Sequence, residues 1–434
     1  MLQLSRIGIM ALTFASSVVV LRRLGTTAYG TLALAHALFA MLQTFNLVVP
    51  GTAAQTLLSM AYSAGNGSEI LNLLAYSLKM GLLWSVICLL MLALAGVPFA
   101  ALLYNGDSFI GRLALWLAFG QLADTFYNLI VMALLSRRDI WPLAVLQMVN
   151  QAVLSLCLIT AALLSPTPEA QAIGQVLYSF LTMGMALVLY ERLRTRGQVV
   201  YPPLAAVIVH AWTISPRTYL HIGMANAIDK KLGGLCCELP LQTVGSVLGK
   251  DAAGLLKAAL NVFTALSGFT SAVYDNLQAV MPRAVQRADY AWIQRNYWRI
   301  VKVLTLTLGT LYVPVMLVAP VVFPLLFGKA WNTAGPLVSV LCIYAVIGNL
   351  GATITPLYRA FNLYGTMIII KVLILGISIP VGFWLLGQYG VTGGAWLINL
   401  IFVFWAAFTV SLTLRELHRR MQDRSYASTE KSVT

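Results

Sequence analysis

Charge is what this chain has least of. Asp, Glu, Lys and Arg make up only 10% of its 434 residues, against about a quarter in an ordinary soluble domain. Hydrophobic residues make up 59%, and the mean hydropathy is +0.82. A soluble protein of this length cannot hide so much apolar surface from water, so its solvent is largely lipid. Acidic residues are the scarcer sign, 14 against 28 Lys and Arg, which leaves a net charge of +14. Cysteine is sparse as well. Cys88, Cys157, Cys236, Cys237 and Cys342 all lie in apolar segments, without disulfide framework or metal spacing, and read as small buried hydrophobes. With no metal-ligand cluster and no nucleophile constellation, neither a metal nor a cofactor is expected, and an enzyme is not the favoured reading.

What is present is a series of apolar runs. Stretches of about 20 residues, enough to cross about 30 Å of hydrocarbon, recur near 4–21, 28–49, 71–95, 108–133, 143–164, 171–190, 218–241, 252–280, 300–320, 335–358, 366–387 and 393–414. That predicts an all-α polytopic membrane protein of about twelve transmembrane helices, six in each half. Residues 4–21 lack a small-x-small cleavage site and end abruptly at Arg22-Arg23, so they read as a retained span and not a cleaved signal.

The basic residues set the expected orientation. With a cytoplasmic N-terminus, inside segments collect Arg6, Arg137, Arg138, Arg192, Arg194, Arg196, Arg217, Arg283, Arg287, Arg295, Arg299, Lys302, Arg359 and the Arg415–Lys431 cluster. Outside segments hold only Arg22, Arg23, Arg112, Lys250 and Lys329. The bias places both termini in the cytoplasm and accounts for most of the net charge without nucleic acid. The expected organisation is an N-terminal lobe at 1–190, a cytoplasmic connector at 191–217, a C-terminal lobe at 218–414 and a polar tail at 415–434. Within the connector the apolar piece 203–216 is too short to span and is expected to lie along the interface. Residues 289–299 mix Tyr290, Trp292, Tyr297 and Trp298 with Arg295 and Arg299, as in a helix at headgroup depth.

The two halves echo one another. Leu24-Gly25-x-x-Ala28-x-Gly30 recurs as Leu248-Gly249-x-x-Ala252-x-Gly254. Leu102-Leu103-Tyr104 is answered by Leu325-Leu326-Phe327, Leu135-Ser136-Arg137 by Leu357-Tyr358-Arg359, and Leu189-Tyr190-Glu191 by Leu414-Arg415-Glu416. An even number of spans per half gives both lobes one orientation, related by an axis along the membrane normal. In a membrane protein such doubling marks a transporter with its site between the repeats.

Charges where lipid should be are the candidate chemistry, since each costs about 2.5–3.5 kcal/mol at mid-bilayer on insertion scales. They are Lys79, Asp124, Asp229, Lys230, Lys231, Glu238, Lys257, Asp275 and Lys371. In the eighth span, Lys257, Asn261, Thr264, Gly268, Ser271, Asp275 and Gln278 step by threes and fours along one helical face. Two readings stand, a water-filled lumen and a polar helix–helix seam; the cost of burying Lys257 and Asp275 favours the lumen. Lys79 and Asp124 fall at similar depth in adjacent spans and are expected to form a structural salt bridge, with a proton-sensitive Asp124 as the alternative. Gln121, Asp124 and Asn128 share a face, and so do His36 and Gln43. His36 reads as a packed histidine before a proton relay. The excess of Lys over carboxylates suits an anionic cargo such as a phosphate or diphosphate. Gly245-Ser246-Val247-Leu248-Gly249-Lys250-Asp251 is one residue short of a phosphate loop and lacks its Ser/Thr.

Several of these runs resemble the MOP superfamily of multidrug, oligosaccharidyl-lipid and polysaccharide exporters, and in it the bacterial lipid-linked oligosaccharide flippases. Arg23-Leu24-Gly25 with Tyr29-Gly30 is similar to the family signature between spans one and two. Leu325-Leu326-Phe327-Gly328 with Ala334-x-Pro336-Leu337 resembles its run before span ten, and Gly390-x-x-Gly393-Gly394-Ala395 the start of its last span. The loop near 51–70 departs from the pattern, lacking the basic residues common there. The resemblance covers nearly the whole chain. It implies two six-helix lobes around a central cavity that opens alternately to each side of a bacterial inner membrane. The implied cargo is an undecaprenyl-pyrophosphate-linked oligosaccharide for O-antigen, capsule or exopolysaccharide. Membrane lipid, a polysaccharide polymerase and chain-length machinery are the implied partners. Of the family's cavity basic residues only Arg22 and Arg23 map onto this chain.

The expected substrate-binding set is therefore Arg22 and Arg23 together with Lys230, Lys231, Lys257, Asn261, Thr264 and Ser271. His36, Lys79, Asp124 and Asp275 are the expected proton-coupling groups or structural ion pairs. The rivals are a multidrug cation antiporter of the same superfamily, which needs cavity carboxylates that span one lacks, and a membrane polymerase or ligase, for which the outer loops are too short.

Overall fold

The computed structural model describes residues 2–45, 51–196, 201–219, 224–266 and 268–433. Residues 46–49 of the second expected span, 197–200 of the connector, 220–223 of the seventh span and Thr434 of the tail lie outside it, as do the side chains of Thr264, Ser271 and Asp275. Among the described residues the chain is helical throughout, with no strand. In lipid a backbone can satisfy its polar groups only within itself, and a helix does so locally. Nine of the described helices are long and apolar enough to cross a membrane. One of them, α1 (Leu2–Thr44), is two spans joined at Gly25, whose φ of 75° and ψ of 178° break the helix. With α9 (Met224–Leu248) and the pair α10 (Lys250–Leu266) and α11 (Gly268–Gln286), the fold is a polytopic membrane protein of about twelve transmembrane helices.

The chain packs into two compact units, one of residues 1–231 with 249–254, the other of 232–248 with 255–434. Unit 1 also contains α2 (Gly51–Ala64), α3 (Gly67–Met91), α4 (Val97–Leu103), α5 (Phe109–Arg137), α6 (Ile140–Leu164), α7 (Pro168–Arg196) and α8 (Leu204–Thr213). α5 packs against α7, α1 and α3, and α6 packs on α1. Asn66 caps α3 by accepting from the Glu69 amide at 3.2 Å, the sequence-level signature of a helix start. Between α3 and α4 the chain makes one π-helical turn, Leu92–Gly96, just ahead of Pro98; proline has no N–H to continue the ordinary ladder.

The doubled Leu-Gly-x-x-Ala-x-Gly motif has a physical meaning inside this unit. Gly25 and Gly249 both take a positive φ, 75° and 88°, which L side chains rarely adopt. The second glycine of each copy sits where two backbones touch. A Cβ on Gly30 would lie 1.8 Å from the Lys250 carbonyl oxygen, and one on Gly254 would lie 2.4 Å from that of Thr26. Small residues permit this approach. Around it, the Thr26 and Thr27 hydroxyls each donate to Asp251 Oδ1 at 2.6 Å, and Lys250 pairs with Asp107.

The connector is part of unit 1. Tyr190 donates to the Pro202 carbonyl at 2.9 Å, and Tyr201 donates to Asp139 at 2.5 Å beneath the Arg137 guanidinium, 4.6 Å from its ring. Burial pushes the Tyr201 phenol above its ordinary range, and the Asp139 carboxylate adds to the shift, so it stays a donor. α8 packs on α3 through Val207 and Ala211, leaving Val209 and Trp212 exposed.

Unit 2 contains α12 (Tyr290–Phe327), α13 (Ala334–Thr353), α14 (Thr355–Ala360), α15 (Tyr364–Tyr389) and α16 (Val391–Val433). α12 packs on α13, and α16 packs on both α13 and α15. Along α12, Val313, Leu317, Val321 and Leu325 are all exposed, a stripe at four-residue spacing that only lipid would leave uncovered. Pro320 cannot donate to Met316, and the freed carbonyl instead accepts from Ser339 at 2.6 Å. Asn399 does related work on α13. It donates to the Val340 carbonyl at 2.9 Å and accepts from the Tyr344 amide at 2.8 Å, the two groups that an uninterrupted helix pairs with each other.

Candidate functional site

Unit 1 holds a partly open cavity of about 290 Å³. α1 contributes His36, α5 contributes Gly120 and Asp124, and α7 contributes Gln175, Tyr178 and Ser179; Leu117, Leu154 and Leu158 complete an apolar wall. No Lys or Arg is among the lining residues. The Asp124 carboxylate is hydrogen-bonded by Ser179, and the Tyr178 hydroxyl donates to Asn150 at 3.0 Å. Gly120 makes room for this arrangement, since a Cβ there would stand 3.0 Å from Ser179 Oγ. A carboxylate beside neutral hydroxyl and amide groups, inside a membrane helix bundle, is chemically suited to a proton or a small cation.

The cavity brings together the faces that helical spacing marked out on α1 and α5. His36 and Asp124 both line it. One heptad from His36, Gln43 forms a reciprocal pair with Gln121, which returns a bond to Gln43 Oε1 at 3.0 Å. The expected Lys79–Asp124 salt bridge is not formed. Lys79 instead donates to the carbonyls of Ile214 at 2.8 Å and Trp212 at 3.4 Å, at the end of α8. Similar depth in neighbouring spans does not give the same azimuth, and the carbonyls left open at a helix C-terminus offer a lysine a partner without a carboxylate.

Lys231 behaves the same way. Its ammonium donates to the Gln43 carbonyl at 2.9 Å, one residue before α1 ends. It is thus engaged as a helix cap, whereas its neighbour Lys230 is exposed and Asp229 fully buried. Arg22 and Arg23 are also exposed. In unit 2, Lys257 is not a lone cation, because Glu238 lies 3.3 Å away. Asn261 is half-buried on the same helix face, while Thr264, Ser271 and Asp275 cannot be placed beyond their backbone. Lys371 is buried with its ammonium 5.2 Å from the centre of the Trp405 ring.

Sequence reasoning missed Gln175, Tyr178, Ser179 and Asn150, since single polar residues in apolar helices carry no pattern of their own. It missed Asn399 for the same reason. A signal existed for Gln175, Tyr178 and Ser179, whose spacing of three, one and four places them on one side of α7.

No protein-family model matches the chain, and no curated protein matches it in sequence. Solved structures do match in fold. One is an inward-facing multidrug resistance MATE family transporter of the MOP superfamily, with a TM-score of 0.70 at 13% identity over 97% of this chain and 99% of that one. A MOP superfamily transporter from Pyrococcus furiosus, described as having a binding pocket of reversed polarity, gives 0.66 at 12% identity, covering 97% and 94%. The lipid II flippase MurJ in an inward closed conformation gives 0.65 at 13% identity, covering 96% and 89%. The chain therefore has the fold of MOP superfamily transporters along nearly its whole length.

Proposed function

We propose that this protein is a flippase that moves an undecaprenyl-pyrophosphate-linked oligosaccharide across the bacterial inner membrane for surface polysaccharide synthesis. The lobes 1–190 and 218–414 would move as two bodies around the cargo, with both termini in the cytoplasm and a polysaccharide polymerase taking up the product.

The observation that carries this reading is the sign of the exposed charge. Among the described residues Asp229 is buried, Asp124 lines the partly open pocket and Glu238 lies against Lys257. Lys230, Arg22 and Arg23 are exposed. An exposed cationic set offers a diphosphate charge-assisted hydrogen bonds and repels a cationic drug. In the same reading Asp124 carries the coupling proton, with His36 beside it.

The test is surface glycan measured in cells at matched expression. Export should fall sharply in an R22A/R23A/K230A variant and in Asp124→Asn; undiminished export in the triple variant would contradict the reading. A specific observation also favours a second reading, a MATE-like multidrug cation antiporter, since the Asp124 cavity is a carboxylate site free of Lys and Arg. Drug efflux in a sensitised strain that requires Asp124 and survives the triple substitution would favour that alternative.

A further inference from the structure

Inside unit 2, Glu238 on α9 and Lys257 on α10 form a pair that leaves both partners under-satisfied. Lys257 Nζ lies 3.3 Å from Glu238 Oε1, longer than the roughly 2.7–2.9 Å of a strong charge-assisted bond. Glu238 Oε2 is buried and has no hydrogen-bond partner among the described residues. Lys257 has three N–H donors, and among the described residues one is used. The nearby Tyr344 hydroxyl accepts from the Cys237 thiol at 3.8 Å. The side chains of the pair are 21% and 23% exposed, so a ligand can reach them.

A half-satisfied charge pair in a low-dielectric setting is a poor source of stability. Its electrostatic value is neutrality, since a bare ammonium or a bare carboxylate at this depth would cost more than the pair. A ligand carrying several anionic oxygens can replace the carboxylate at Lys257 and use the donors that Glu238 leaves idle. The displaced carboxylate then stands close to the ligand with no counter-charge, and it opposes tight binding.

We infer that Glu238 is a built-in stand-in for the cargo's phosphate, neutralising Lys257 while the site is empty and pushing the diphosphate off again once it is bound. This rests on the diphosphate reading of the cargo. Glu238 thereby sets affinity and release, while Lys257 touches the ligand.

The test uses the full-length protein in nanodiscs, with undecaprenyl diphosphate lacking sugars as the probe. Relative to the wild type, Glu238→Gln should bind about tenfold more tightly and release more slowly, while Lys257→Met should bind about tenfold more weakly. The E238Q/K257M double variant should bind more tightly than K257M but more weakly than E238Q, since the Glu238 carboxylate opposes the ligand directly and Lys257 holds it. Glu238→Asp, which keeps the charge, should stay near the wild type. Size-exclusion elution identifies variants that have failed to fold, and the double variant, which removes both charges, keeps the comparison open if one single variant does. Binding by the wild type with no gain in E238Q, or no loss in K257M, overturns the inference and leaves the diphosphate reading standing. Absence of binding in the wild type and every variant overturns both.

Discussion

Lysines in the spans of this protein are not interchangeable positive charges. Lys231 and Lys79 each donate to carbonyls at the end of a helix, α1 and α8 respectively. Lys371 lies over an indole, Lys257 faces a carboxylate, and Lys230 is exposed. A cation at a helix C-terminus contributes up to about 2 kcal/mol in a partly buried setting. Replacing Lys231 with Met should therefore lower the thermal midpoint of the detergent-solubilised protein, while Lys230→Met should leave it unchanged and reduce export instead. A thermal-shift series read beside a surface-glycan assay checks both. Equal stability losses would mean that the two neighbours do one job. The residue scale is also where the sequence was least legible. The intramembrane charges marked out the interesting positions, but whether a lysine finds a carboxylate or a carbonyl depends on azimuth, as Lys79 and Asp124 illustrate.

At the level of elements, the repeat glycines and the prolines decide where helices bend and touch. The repeated motif could be read from the chain as doubling, and the structure adds its cause: Gly25 and Gly249 turn the backbone, Gly30 and Gly254 let it cross. Gly30→Ala should be costly because the new Cβ would meet backbone and not a movable side chain. A loss of about 1–3 kcal/mol or more is expected, read as a clear drop in folded yield and thermal midpoint. Gly67→Ala is the control, since a Cβ there meets nothing within 4 Å. Ser339→Ala would leave the Met316 carbonyl without the partner that compensates for Pro320, at a cost of about 1–3 kcal/mol. One of the other paired runs ends alike. Tyr104 and Phe327 are both buried at the close of a helix, followed by positive-φ residues at Asn105 and Gly328. Helix number, the break at Gly25 and the short connector helix were all legible, because period, length and glycine act locally. The Asn399 insertion into α13 was not, since it pairs segments 55 and 59 residues apart.

For the whole molecule, composition and the positions of Lys and Arg pointed to a polytopic transporter fold, and the solved structures bear out that fold at low identity. Fold does not fix the cargo, so the cargo must be argued from the site. Among the described residues Asp229 is buried, Asp124 lines a pocket and Glu238 is paired, while Lys230, Arg22 and Arg23 are exposed. The most direct measurement is translocation in sealed proteoliposomes containing the purified protein and an undecaprenyl-diphosphate oligosaccharide labelled on its sugar, followed with a membrane-impermeant quencher. The account predicts that the wild type moves the labelled headgroup between leaflets faster than empty vesicles do, and that R22A/R23A/K230A falls to the empty-vesicle rate. Wild-type traces that coincide with empty vesicles, alongside Asp124-dependent uptake of a cationic drug by the same preparation, would contradict it.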